Sequence, residues 1–101
     1  DELRQRLKQN TAKFRKGLEA LGFDCLPGEH AIIPIMLYNE KVAVDFAEAM
    51  LYEGVYVVAF SFPVVAKGKA RIRTQMSAAL SSEDIDFALE AFGKVKRQLI
   101  P

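Results

Sequence analysis

Apolar side chains return along the start of the chain at the spacing of one helical face. Leu3, Leu7, Phe14, Leu18 and Leu21 recur at intervals of three, four and seven, and Thr11 falls in the same stripe. The stripe predicts a helix that stops at Gly22, a residue suited to a left-handed cap, with Phe23 placed to fold back on the last turn. Residues 31–37 are β-rich and predict a strand, although Pro34 has no N–H to give to a ladder. Either this strand lies at an edge or its proline faces away from its neighbour. Asn39 suits the N-cap of a second helix over 40–53, which turns Val42, Phe46, Ala49 and Met50 inward and ends at Gly54 as the first ends at Gly22.

The stretch 55–60 is almost continuously apolar and reads as a buried strand. A loop over 61–69 follows, carrying Phe62-Pro63 and the basic turn Lys67-Gly68-Lys69, and then a strand over 70–76. Side chains two apart on a strand share a face, so Arg71 and Arg73 project together while Ile72, Thr74 and Met76 project the other way. Ser81 caps a last helix, with Asp84 in the place a capping box usually gives to glutamate. Ile85, Ala88, Leu89, Phe92, Val95 and Leu99 form its apolar stripe. Lys94, Lys96 and Arg97 lie near its C-terminal end, where the helix dipole favours positive charge. The order helix, strand, helix, strand, strand, helix predicts an α+β fold: a small, mostly antiparallel three-stranded sheet with helices packed on one face. The strands flanking 61–69 suit a wide hairpin. The other face of the sheet must be polar or shielded.

Half of the 101 residues are hydrophobic, which supports one core and a single domain over 1–101. A net charge of +1 gives no global field for nucleic acid or an anionic membrane, so neither is expected as a partner. The longest uncharged run, 54–66, contains Pro63 and falls well short of the ~20 residues that cross a bilayer. No secretory signal is present, and the expected location is cytoplasmic. Arg4, Arg6, Lys8, Lys13, Arg15 and Lys16 make the first helix basic. A solvated face explains that charge, with contact to the rest of a larger enzyme or a phosphate site as alternatives. The chain opens on Asp1 inside a helical pattern without an initiator methionine, which predicts a piece of a longer protein.

Candidate chemistry is sparse. The single Cys25 rules out an internal disulfide and reads as a small apolar loop residue, in a loop from Cys25 to His30 with Pro27-Gly28 as its turn. His30 has no second ligand at metal spacing. Asp45, Glu48, Glu83, Asp84 and Asp86 sit on helices at spacings typical of solvated faces or dipole partners, not of acid–base pairs. Gly28 and Gly68 are isolated, with no phosphate-cradling pattern. The arginines remain. A guanidinium is a planar fork that matches a carboxylate, and a strand holds it rigidly. From spacing alone, Arg71 and Arg73 are anion ligands, exposed sheet residues, or partners of a helix carboxylate.

The segment FSFPVVAKGKARIRTQMSAA, the following SSEDIDFALEAFGKVKRQL and the earlier GEHAIIPIMLYNE and DFAEAMLYEGVYV are similar to the C-terminal segment of the α-oxoamine synthases. These are fold-type I pyridoxal-phosphate (PLP) enzymes. The resemblance covers nearly the whole chain, and its most specific part is ARIRTQMSAA. It implies a C-terminal small domain whose own large PLP-binding domain is not in this chain. The member it resembles most joins glycine and acetyl-CoA into 2-amino-3-oxobutyrate, or runs the thiolytic reverse with CoA in threonine breakdown. Such enzymes are homodimers, mitochondrial in a eukaryote. PLP serves as the electron sink that stabilises a carbanion at glycine Cα.

For individual residues, the resemblance matches Arg73 to the arginine that clamps the α-carboxylate of the amino-acid substrate. Glycine bound to the cofactor through its amine keeps only that carboxylate as a charged handle, so a bidentate grip selects which Cα bond is broken. Arg71 is left structural, and Pro63, Val64 and Lys67 are expected to line the approach. The lysine that holds PLP has no counterpart here, since Lys67 and Lys69 are loop lysines. Cofactor-binding and catalytic residues are therefore expected elsewhere, and this chain alone is expected to be inactive. Two local departures bear on substrate detail: Phe62 and Ala66 interrupt the usual YPVVPKG, and Leu80 stands where histidine is common. Two other readings stay open: a sister enzyme with a different acyl chain or amino acid, and a free-standing α+β regulatory module that binds a small carboxylate at Arg73.

Overall fold

The apolar stripes fold as three helices, α1 (Glu2–Ala20), α2 (Glu40–Tyr52) and α3 (Ser82–Leu99), in a computed structural model that describes residues 1–27 and 31–100. Gly28 and His30 of the predicted loop lie outside the described residues. Helices α1 and α2 close in the same way. Gly22 and Gly54 take φ values of 91° and 92°, which is why glycine stands at both positions. The Phe23 N–H bonds back to the Leu18 carbonyl and the Val55 N–H to the Met50 carbonyl, completing a Schellman motif at each end. Phe23 is thereby folded into the core. At the start of α3, Ser81 and Asp84 each bond the other's backbone N–H, forming the predicted capping box.

The sheet has four antiparallel strands, not three. Strands β1 (Asp24–Cys25), β2 (Ile32–Tyr38), β3 (Val58–Phe60) and β4 (Ala70–Gln75) lie in the order β1-β2-β4-β3. The extra strand is β1, two residues that read as loop because so short a segment carries no periodicity. It forms because the cap at Gly22 sends the chain back along β2. Strand β3 is shorter than the predicted 55–60, since Val55 is taken up in closing α2.

Strand β2 is flanked on both sides, so Pro34 is not in an edge strand; its missing donor is turned away from β4 but faces the Leu26 backbone just after β1. The Pro34 carbonyl accepts the Leu26 N–H at 2.9 Å on the β1 side, away from β4. A residue with an N–H would return a bond to the Leu26 carbonyl. That carbonyl instead takes the Arg15 guanidinium, Nη1 to O 2.6 Å. A missing donor in a strand is thus supplied by a helix. Lys13 has a comparable task, with ion pairing to Asp86 at 2.9 Å tying α1 to α3. Part of the basic face of α1 is therefore structural rather than only solvated.

One sheet face is packed beneath the helices; the other is partly open, with Arg73 and Gln75 exposed and Met36 buried beside a half-buried Arg71. Ile33, Ile35, Ile72 and Thr74 are buried beneath the helices, and the Thr74 hydroxyl donates to the Ile33 carbonyl at 3.0 Å. Above them three phenylalanines meet around Phe92, whose ring lies 5.7 Å from Phe14, 5.6 Å from Phe23 and 5.8 Å from Phe46. Two expectations shift by a residue or more: on α2 it is Ala43, not Val42, that is fully buried, and Leu3 at the tip of α1 is 67% exposed.

Phe92→Ala is expected to destabilise the fold by about 3–5 kcal/mol, because it removes the ring the other three pack against. Denaturant unfolding measures it. Ser81→Ala should cost about 1 kcal/mol through the lost cap. The Asp84 carboxyl is held below its usual range by the Ser81 backbone N–H and then by its hydroxyl. Its contribution is therefore full above the unfolded carboxylate pKa and is lost as pH falls through the lowered folded value. Asp84→Asn should flatten the acid side of a plot of Tm against pH, and an unchanged acid limb would contradict the assignment.

Candidate functional site

Strand β4 alternates strictly: Ala70, Ile72 and Thr74 are buried, while Arg71 is half-buried and Arg73 and Gln75 are exposed. The two arginines thus share the partly open face, as the period of two requires. Arg73 is paired with Pro34 on β2 and with Val58 on β3. Both neighbours are apolar, so no carboxylate opposes it across the ladder. The ion pairs among the described residues are Lys13–Asp86, Lys41–Asp45 and Lys94–Glu53, all elsewhere.

Its position is set by an aromatic ring. The Arg73 guanidinium lies 5.0 Å from the ring centroid of Phe60, a diagonal neighbour on β3. A cation over an aromatic face is attracted by the ring quadrupole and keeps its N–H donors at the edge, available to an anion. Phe60 was legible in the sequence only as an apolar strand residue; its role appears once the register places it diagonal to Arg73. Arg71 is positioned differently, with Nε donating to the Lys69 carbonyl at 3.1 Å.

Pro63, Val64 and Lys67 are exposed on the loop joining β3 to β4. Lys67 Nζ lies 5.2 Å from the Phe62 ring. A hollow of ≈ 510 Å³ bordered by Arg15, Leu26, Ile32, Pro34 and Gln75 opens beside the register position of Arg73. A second, ≈ 490 Å³, lies between α3 and the end of β4 and is mostly apolar, with Phe14, Tyr56, Leu80 and Phe87 among its walls.

Other chemistry is accounted for by structure. Asp45 pairs with Lys41 at 2.8 Å, Asp84 caps α3 and Asp86 pairs with Lys13. Burial pushes the Cys25 thiol above its usual pKa, with Arg15 pulling the other way, so it is a poor nucleophile at neutral pH. The Tyr38 hydroxyl donates to Asp24, which raises its pKa as well. No lysine among the described residues is buried, and Lys67 and Lys69 stand in the open, so these residues do not form a PLP pocket. What the described surface offers is an exposed guanidinium held over the Phe60 ring on the sheet face away from the helices.

The described residues form an α+β lobe with helices packed on one sheet face and, on the other, an arginine with no carboxylate partner among them. The chain belongs to the aminotransferase class I and II family, whose model matches residues 1–92. It is 51% identical over 98 residues to the 2-amino-3-ketobutyrate coenzyme A ligase of Escherichia coli, covering 97% of this chain and 25% of that protein. It is 42% identical over 99 residues to the 8-amino-7-oxononanoate synthase of Thermosipho melanesiensis, covering 98% of this chain and 25% of that protein. A variant of serine palmitoyltransferase from S. paucimobilis, solved with a PLP–myriocin aldimine bound, superposes with a TM-score of 0.88 at 28% identity, over 95% of this chain and 25% of that one. The chain thus spans about a quarter of the length of the curated relatives it matches.

Phe60→Leu should return the ring-shifted NMR resonances of the Arg73 side chain toward exposed-arginine values and leave the rest of the folded spectrum in place. Unchanged Arg73 resonances would contradict the stacking.

Proposed function

We propose that this chain is the C-terminal small domain of a PLP-dependent acyltransferase, a glycine C-acetyltransferase. The enzyme joins glycine to acetyl-CoA to form 2-amino-3-oxobutyrate, or cleaves that product with CoA in threonine breakdown. The observation that carries the reading is Arg73, exposed on the partly open sheet face with no carboxylate opposite it. The match over 97% of the chain to a 2-amino-3-ketobutyrate coenzyme A ligase supports the choice of substrates. PLP is bound by a large domain outside this chain. It supplies an electron sink for the carbanion at glycine Cα.

The contribution of this chain is orientation. Arg73 grips the glycine carboxylate in a two-point contact, which fixes rotation about the Cα bonds and selects the bond to be broken. The contact strengthens when the large domain covers the sheet face and excludes water. Pro63, Val64 and Lys67 line the approach, on the loop that follows β3. The complete protein works as a homodimer in the cytoplasm, or in the mitochondrion of a eukaryote. Among the described residues no helix is long and apolar enough to cross a membrane. A sister activity, with another acyl chain or amino acid, is the second reading. It is favoured by the 42% identity to an 8-amino-7-oxononanoate synthase and by the superposition on serine palmitoyltransferase. 5-Aminolevulinate synthase belongs to the same group of alternatives.

In the full-length enzyme, Arg73→Ala should lower kcat/KM for glycine by about 2–5 kcal/mol of transition-state binding, the cost of breaking a desolvated ion pair. Steady-state kinetics with acetyl-CoA saturating measures it, and glycine kinetics equal to wild type would remove the assignment. The isolated chain should develop no cofactor absorbance band with PLP. A stable band on Lys67 or Lys69 would contradict the absence of a cofactor site here.

A further inference from the structure

Glycine carries one carboxylate, and one guanidinium satisfies it. The strand and turn around Arg73 carry far more positive charge than that. Residues 54–82 contain no Asp or Glu, yet Lys67, Lys69, Arg71 and Arg73 fall within seven consecutive positions. None of the four is in an ion pair among the described residues. On the helices, Lys13, Lys41 and Lys94 each have a carboxylate within 3.0 Å. Like charges crowded without a counter-ion repel, and a fold tolerates the cost most readily where a ligand supplies the balancing charge.

We propose that Lys67, Lys69 and Arg71 form the subsite for the phosphates of coenzyme A, an inference that rests on the acyltransferase reading. Arg71 is the most organised member. Its Nε is held by the Lys69 carbonyl at 3.1 Å, which orients the guanidinium and ties the strand to the turn that bears both lysines. Its two terminal NH₂ groups make no bond with the described residues, and they are the pair that grips an oxyanion. Lys67 is held over Phe62, itself 51% exposed, and Val64 beside it is 73% exposed. The loop therefore sets a bare aromatic ring next to cations, the pairing that a nucleotide with its purine and phosphates matches.

The spacing fits as well. Lys69 precedes Arg73 by four residues, roughly 13 Å of extended chain. In coenzyme A the pantetheine arm separates the sulfur from the phosphates by a distance of that order or more. A thioester near Arg73 thus leaves the phosphates at the basic turn. Glu40 is the nearby acid: it borders the hollow beside Gly68 together with Lys41, whose charge is already balanced by Asp45. One carboxylate does not reverse the sign of a patch with three free cations.

The test is calorimetric binding to the full-length enzyme, using coenzyme A, dephospho-coenzyme A and pantetheine as probes. Wild type should prefer coenzyme A to pantetheine, by a margin that falls as salt rises. The pair Lys69→Ala with Arg71→Ala should weaken coenzyme A binding tenfold or more, as roughly expected for lost charge-assisted bonds, and shrink the preference over pantetheine. Lys69→Glu, at an exposed turn position that leaves the core untouched, should weaken it further. Wild-type affinity in these variants would overturn the subsite. So would an equal loss for pantetheine, or a loss that appears only with a change in oligomeric mass. A wild-type enzyme without affinity for coenzyme A would overturn both the subsite and the acyltransferase reading, whereas variant results alone overturn only the subsite.

Discussion

Phe92 is the contact on which the rest of the structure depends. Its ring touches one phenylalanine from α1, one from α2 and Phe23 from the chain just after the α1 cap. The contacts with Phe14 and Phe23 are edge-to-face and that with Phe46 is tilted, so the ring constrains the angles at which the elements meet as well as the depth of burial. With the helices held together on one side, the sheet has one covered face. The alternation of β4 then leaves Arg71 and Arg73 on the other. The placement of the arginines is a consequence of where the aromatic core sits.

Two backbone constraints keep that face ordered. Pro34 lies opposite Arg73 and removes a donor from the middle of the sheet. The deficit is displaced to the β1 side, where Arg15 supplies the bond that the strand does not. The side of β2 that pairs with β4 is thus left free of the proline's missing donor. Phe60 then fixes the guanidinium over its ring. A side chain with many rotatable bonds is otherwise costly to immobilise, and holding it beforehand reduces what a ligand must supply.

The charges are used differently along the chain. Several of those on the helices are taken up by structure: a capping box at Ser81 and Asp84, and ion pairs at Lys13, Lys41 and Lys94. Those on the turn and strand from Lys67 to Arg73 are not. In a chain of net charge +1 this contrast is invisible to composition. It is a property of which charges face one another. It is also the reason the carboxylate and phosphate proposals fall on adjacent parts of one strand and the turn before it.

The sequence by itself determined the helices, their caps, the strand that carries the arginines and the side on which they point. Each is a local property: a period of 3.6 or 2, a glycine at a left-handed turn, a serine three residues before an aspartate. The family resemblance was likewise carried by contiguous residues. Only the tertiary structure decided that the sheet has a fourth strand, since Asp24–Cys25 is too short to have a period and forms by pairing with β2. Only it decided that Pro34 is internal, that Arg15 repairs its missing bond, and that Phe60 rather than a carboxylate lies beside Arg73. These depend on register between strands distant in the chain, and register follows from how the whole core packs, not from any one segment's pattern.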